Sequence, residues 1–380
     1  MGIISSLKRK ENFYYIFLLT MGIAKGTDTN LPYIMEMLLV ITGLFFGLMS
    51  MVMSHYTKRE VAIGLCLIGV GIISALSLHR MGVLMAMVLI ISSKDISIKK
   101  AFTVLFIVQM FAFCYNVIPE MYQLFTEGTV DGFYQARNFL GIFSLSIQFR
   151  SGLGFAHPNS LQMCVFFGTI LLLYIYYQRL ERKHLIIAFI VNAIFYFITF
   201  SNTGLLLCFL YCVLLDIFRK NKSCARLLAK HSDIIFVMLV AGIIMLSWFY
   251  RDNNFFMIMN KLMTGRLKWS HDYMNVIPFT FFGSSITVEN ITAALDCGYI
   301  FILLRYGMVV LALYCWGIYC LLGKLGITKQ YAAIAIIIVL HLYLIMENFM
   351  LICFQNYSYI LLSLLVFGQE RYLTYDDKTN

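Results

Sequence analysis

The sequence predicts an all-α fold, a polytopic bundle of transmembrane helices. Three observations lead there. Of 380 residues, 61% are hydrophobic and 13% are charged, whereas a soluble protein of this size carries about 25% charged residues. The mean hydropathy is +0.82. The apolar residues fall in repeated runs of roughly 20, the length that crosses a hydrocarbon core of about 30 Å. A β-barrel would show short alternating strands instead.

Taken in order, the runs predict spans near 13–24, 33–54, 61–78, 81–92, 101–117, 157–178, 184–200, 203–218, 233–250, 298–322, 330–348 and 351–368. That makes about 12 spans. The first run and 81–92 are short, so 11 is the alternative count. The first run follows Lys8, Arg9 and Lys10, with no convincing small-residue cleavage site after it. It reads as a first helix, not a removed signal peptide. Residues 1–380 form a single integral membrane domain. No internal repeat is visible, so the inverted-repeat pattern of many secondary transporters is missing.

Charge tests the count. One alternating set of loops holds 20 lysines and arginines and the other holds 8, with Arg305 inside a span. Basic residues gather on the cytoplasmic side, so both termini are expected there. The net charge of +10 serves this asymmetry, and no nucleic-acid partner is expected. Ten cysteines are scattered, without a CxxC pair or zinc-ligand spacing. Neither a metal nor a cofactor is expected.

Two outer segments are long, 118–156 and 251–297. They are rich in aromatic residues, among them Phe133, Tyr134, Trp269 and Phe282, which disordered segments lack. Both are expected to fold, partly as helices lying at the membrane interface.

The stretch from Arg150 to Tyr176 passes from a polar junction into a span. Proline suits the first turn of a helix, so a helix is expected to start near Pro158, with His157 at its cap. Its free N–H groups and positive dipole end suit an anion such as phosphate. Arg137, Arg150, Arg251 and Arg266 lie in the outer segments, with His157 and His271, where the charge rule disfavours arginine. They are either solvated or carboxylate-paired, or they recognise phosphate through the guanidinium fork. Arg305 is expected about two turns inside the tenth span, where a charge needs a cavity or a partner such as Glu347. Asp296 reads as an N-cap. Ser201 to Gly204 form a polar turn at the start of the eighth span. Three helix N-termini thus point to the side of the long segments. His157 and His271 are each either a general base or a structural histidine.

The ordered motifs resemble a family. Arg150-x-Gly-Leu-Gly-Phe-x-His157-Pro158-Asn159 is similar to the R-x-x-LGF-x-HPN segment of bacterial Wzy-type polysaccharide polymerases, relatives of the O-antigen ligases. Gly265-Arg266-Leu267 resembles that family's G-R-L. Phe282-Gly283, Asp296-x-x-Tyr299 and Leu304-Arg305-Tyr306-Gly307 resemble its F-G…D-N-x-Y…L-x-Y-G ending, with Cys297 where the family has asparagine. Glu347-Asn348-Phe349 and Asn356 resemble its E-N…N signature.

The resemblance implies a GT-C-like membrane glycosyltransferase of the bacterial cytoplasmic membrane, working without metal or nucleotide sugar. Such enzymes join oligosaccharide repeat units carried on undecaprenyl diphosphate into capsular, exopolysaccharide or O-antigen-type polymer at the outer face. A ligase that transfers a finished glycan to another acceptor is the nearest alternative. A lipid-linked oligosaccharide flippase is the alternative from another class. A flippase and a chain-length regulator are the protein partners implied. Arg150, Arg266 and Arg305 would stabilise the departing diphosphate, and His157 or His271 would take the acceptor's proton. Arg137, Asn159, Asp296, Tyr299, Glu347 and Asn356 would hold substrate.

Overall fold

The computed structural model describes residues 2–25, 31–137, 146–284 and 294–368, with the side chains of 2–8, 136, 137 and 146 left out. The apolar runs become helices: α1 (Gly2–Lys25), α2 (Tyr33–Val52), α3 (Lys58–Leu78), α4 (Gly82–Ser92), α5 (Ile98–Glu127), α6 (Pro158–Ile175), α7 (Arg182–Thr199), α8 (Asn202–Lys220) and α9 (Lys222–Trp248). They continue as α10 (Asn254–Leu262), α11 (Arg266–Val276), α12 (Gly298–Arg305), α13 (Gly307–Ile327), α14 (Tyr331–Tyr343) and α15 (Ser358–Phe367). Among the described residues, eight of these (α2, α3, α5 to α9 and α13) are long and apolar enough to cross a membrane. Helices α2, α3, α7 and α9 turn large apolar side chains outward, including Ile41, Phe45, Leu65, Ile190 and Met238. Such a belt is stable against lipid and not against water.

Starts and stops follow local chemistry. Thr57 and Glu60 form a reciprocal capping box at α3. Ser97, Asn221 and Asn253 cap α5, α9 and α10 through side-chain oxygens. His157 caps α6, with Pro158 at its first position, as the sequence predicts.

The basic loops gather on one face of the bundle. Lys10 near the start of α1 pairs with Asp95, and Lys94 pairs with Glu60. The ring of Tyr56 meets Phe367 at the end of α15. Gly326 approaches Ala229 there too. The opposite face, the loop face, carries the two long outer segments.

Four expectations change. Helix α5 does not stop at residue 117. It runs through Pro119 to Glu127, 30 residues or about 45 Å at about 1.5 Å each, longer than a hydrocarbon core of about 30 Å. The first outer segment is therefore helical only to Glu127. It forms a two-stranded antiparallel hairpin, β1 (Phe133–Arg137) with β2 (Ser146–Arg150), Phe133 opposite Arg150. The second segment carries α10 and α11, as expected. Helix α10 exposes Phe255, Met257, Ile258 and Leu262, the amphipathic pattern of an interfacial helix.

Third, the run 298–322 is not one helix. Gly307 adopts φ +89° between α12 and α13, and a Cβ there would stand 2.3 Å from the Phe281 carbonyl oxygen. The chain must turn, and only glycine fits. Met308 and Val309 then donate their N–H groups to the carbonyls of Thr280 and Phe281, which cap α13. Fourth, α14 and α15 have 13 and 10 residues, short of the roughly 20 that a crossing requires. Between them, 344–357 is irregular and mostly buried or half-buried, with Ile352 exposed. Phe349, Met350, Phe354, Asn356 and Tyr357 are each at most 1% exposed. Irregular backbone is tolerated at membrane depth only when protein surrounds it.

That segment has its own clamp. Asn356 Nδ2 donates to the Tyr314 hydroxyl at 2.8 Å and to the Met350 carbonyl at 3.1 Å. Tyr314 also meets His341 Nε2 at 2.9 Å. A second neutral chain joins α6 to α7. Thr199 donates to Gln162, and Asn192 donates to Thr169 at 2.8 Å, with Gln162 and Asn192 themselves 3.5 Å apart.

Candidate functional site

The R-x-x-LGF-x-HPN-like stretch builds the site by way of a tight turn. Gly154 has φ +83°, and a Cβ there would stand 2.3 Å from the Asn116 carbonyl oxygen of α5. The turn packs onto α5 and delivers His157 to the start of α6. One turn of backbone later Asn159 is fixed beside Arg150.

Arg150 is fully buried. Its Nε donates to the Thr199 carbonyl at 2.6 Å, Nη1 to Gln135 Oε1 at 2.5 Å and Nη2 to Asn159 Oδ1 at 2.9 Å. The Phe133 ring lies 5.8 Å away. The cation therefore ties the hairpin, the end of α7 and the start of α6 together. It orients Asn159 from within the protein and does not face an opening.

Asn159 passes the chain on. Its Nδ2 donates to Glu347 Oε1 at 2.8 Å. Arg266 Nη2 donates to the same oxygen at 3.0 Å and lies 3.2 Å from Asp296 Oδ2. Arg266 Nη1 also bonds Thr264. Arg266 is 9% exposed, and its Nε has no hydrogen-bond partner among the described residues. One guanidinium between two carboxylates leaves the trio at net −1. Burial pushes the Asp296 carboxyl above its usual range, and Arg266 opposes that push. Asp296 is thus an ion-pair partner and not the cap of α12, whose N-cap is Cys297.

The helix starts converge as the sequence predicts. The start of α6 reaches Glu347 through Asn159. Gly204 in the first turn of α8 faces the Tyr343 hydroxyl. Gly298 at the start of α12 donates its N–H to the Leu344 carbonyl at 2.8 Å. All three meet the end of α14 or the segment that follows it. Beneath it Phe167, Tyr343 and Phe349 stack edge to face, Phe167 and Phe349 at 5.2 Å. A cavity of about 240 Å³ opens beside Glu347, bounded by Lys25, Gln109, Ser160, Met163 and Gln355.

Other candidates lie apart. Arg305 ends α12, not two turns inside a span, because Gly307 breaks the run. Its charge neighbour is Arg80, and Glu347 is taken by Arg266. Tyr299 is fully buried and donates to the His341 carbonyl at 3.3 Å, which holds α12 to α14. Asn356 serves the clamp of the irregular segment. Asn356 is enclosed because that segment needs internal partners for its backbone. The side chain of Arg137 lies outside the described residues.

The histidines have local duties. His157 Nδ1 accepts the Asn159 N–H at 3.1 Å as the cap of α6, so its basic nitrogen is engaged. His271 contacts the Ser247 carbonyl through Nδ1 and Asn275 through Nε2, each at 2.9 Å. With Nδ1 facing a carbonyl, Nε2 is the basic nitrogen, and Asn275 occupies it. Five residues separate His271 from Arg266, about 140° around a helix of 3.6 residues per turn. His271 faces α9 while Arg266 faces Glu347.

Sequence reasoning missed Gln135, Thr199 and Thr264 as partners of the arginines, and Lys25 and Gln355 beside the cavity. Thr264 stood next to Gly265-Arg266. For the others, no local pattern announced the contact. No protein-family model, no curated protein and no solved structure matches this chain.

Proposed function

We propose that this chain is a metal-independent membrane glycosyltransferase that polymerises oligosaccharide repeat units carried on undecaprenyl diphosphate. In this reading it crosses the bacterial cytoplasmic membrane twelve times in a GT-C-like arrangement, the short α14 and α15 completing their crossings through the irregular stretch 344–357, with both termini cytoplasmic and the loop face outside. One observation carries the reading. Arg150, Asn159, Arg266, Asp296 and Glu347, which come from four separated motifs, join in a single hydrogen-bonded chain.

The reaction forms a bond from the acceptor hydroxyl oxygen to the anomeric carbon and breaks the bond from that carbon to the diphosphate. Positive charge develops on the sugar and negative charge on the leaving group. Arg266 donates to the leaving group, the proton taken up by Glu347 brings its trio from −1 to neutral, and the helix starts add their dipoles. The acceptor's proton goes to Glu347, because it is a carboxylate on the cavity wall and neither histidine borders that cavity. Arg150 acts through Asn159 as a positioning residue.

The test uses purified protein in lipid nanodiscs with a lipid-diphosphate-linked oligosaccharide, and product is resolved on a gel. Glu347→Gln is expected to lower turnover at least about 100-fold, the lower range for losing a general base, while donor still binds. Arg266→Lys is expected to weaken donor binding as well. Full activity in Glu347→Gln overturns the base assignment. In cells, loss of a polymerase leaves single capped units in place of a ladder, whereas loss of a flippase leaves no exported units. A ligase would be separated from a polymerase by its acceptor.

A further inference from the structure

A second charged feature lies at the far end of α8. That helix has 19 residues, so its two ends are roughly 28 Å apart at about 1.5 Å per residue. One end meets Tyr343 near the Glu347 cluster. The other opens into a cavity of about 360 Å³ on the basic face, bounded by Phe218, Arg219, Lys222, Arg226, Lys329 and Tyr331.

Four of these six residues are cations, and they come from three places. Arg219 ends α8, Lys222 and Arg226 begin α9, and Lys329 lies in the link from α13 to α14. Lys329 holds φ +58°, an uncommon backbone state for a residue with a side chain, which turns this link sharply into the cavity. None of the four forms an ion pair within 4 Å among the described residues. Glu181, the carboxylate that senses Arg219, is exposed and pairs with Lys183. The start of α9 adds a positive dipole end, and the start of α14 has no side-chain cap. Phe218 and Tyr331 pack at 5.5 Å and form an apolar wall.

Orientation alone explains basic residues on this face, but not their meeting from three elements around one concavity. Like charges so placed repel unless an anion lies among them. We propose that this cavity binds a phosphate-rich anion, either the headgroup of an anionic phospholipid or a free polyphosphate. Basic pockets between membrane helices hold such headgroups, with each cation contributing about fivefold in affinity. The inference does not depend on the glycosyltransferase reading.

The experiment uses the full chain in nanodiscs. Binding of cardiolipin, of phosphatidylcholine and of inorganic pyrophosphate is measured by native mass spectrometry and competition. Arg219→Gln/Lys329→Gln is compared with Lys58→Gln/Arg59→Gln, which removes the same charge from another loop of the same face. Cardiolipin held by the parent and the control, and weakened roughly 25-fold in the first variant, supports a lipid headgroup. Pyrophosphate binding with the same pattern supports a free polyphosphate. Equal losses in both variants, or no anion binding by the parent, overturn the proposal.

Discussion

Two of the polar networks in this bundle differ in kind. The chain on the loop face contains two guanidinium and two carboxylate groups, and it borders a cavity. The chain between α6 and α7 contains only hydroxyls and amides, and its members bond one another or nearby carbonyls. Neutral polar pairs are an inexpensive way to hold membrane helices together, worth about 0.6 kcal/mol each and at most about 1.7. Charges removed from water cost several kcal/mol apiece. A bundle that needed only adhesion would use the neutral kind. Charge retained beside a cavity therefore marks the region where chemistry is to be sought.

Substitution can break this contrast, and the largest effect is expected at Arg150. Arg150→Leu strips a partner from the Thr199 carbonyl, Gln135 and Asn159 at once. Unpaired buried acceptors cost about 1–3 kcal/mol each. Thermal unfolding in nanodiscs should show a loss of about 3 kcal/mol or more, and Arg150→Lys should recover only part of it. A variant as stable as the parent would mean that Arg150 does not organise the loop face.

A middle effect is expected at the clamp of the irregular segment. Asn356→Leu should cost about 2 kcal/mol or more, because it strands the Met350 carbonyl and the Ser358 N–H and leaves the Tyr314 hydroxyl only His341. Turnover per folded molecule should persist. Turnover lost without instability would move Asn356 into the substrate site that the motif resemblance suggests.

The smallest effect is expected in the neutral chain. Asn192→Ala should cost about 0.6 kcal/mol and leave the product ladder unchanged. An abolished ladder would erase the distinction between the two networks.

Much of the site on the loop face was legible in the sequence. Arginines on the wrong side of the charge rule pointed to Arg150 and Arg266, and Pro158 marked a helix start. The histidines were the weaker inference. Residue type showed that His157 and His271 could titrate near neutrality, but not that a cap and an asparagine would engage their basic nitrogens. Arg305 was misplaced for a related reason. An apolar run of suitable length looks like one span, and the turn at Gly307 depends on the approach of residues 281 to 283 from elsewhere in the chain.

The sequence by itself determined that long apolar helices dominate the fold, that basic loops gather on one face, and where α6 starts. These depend on composition, run length and local caps, which act between near neighbours along the chain. Only the tertiary structure decided that Glu347 belongs to Arg266, that Arg150 is enclosed and that 344–357 can be irregular inside the bundle. Asn159 and Glu347 are 188 positions apart. Contacts over such separations are set by which helix faces pack together, and no local pattern in the chain encodes that choice.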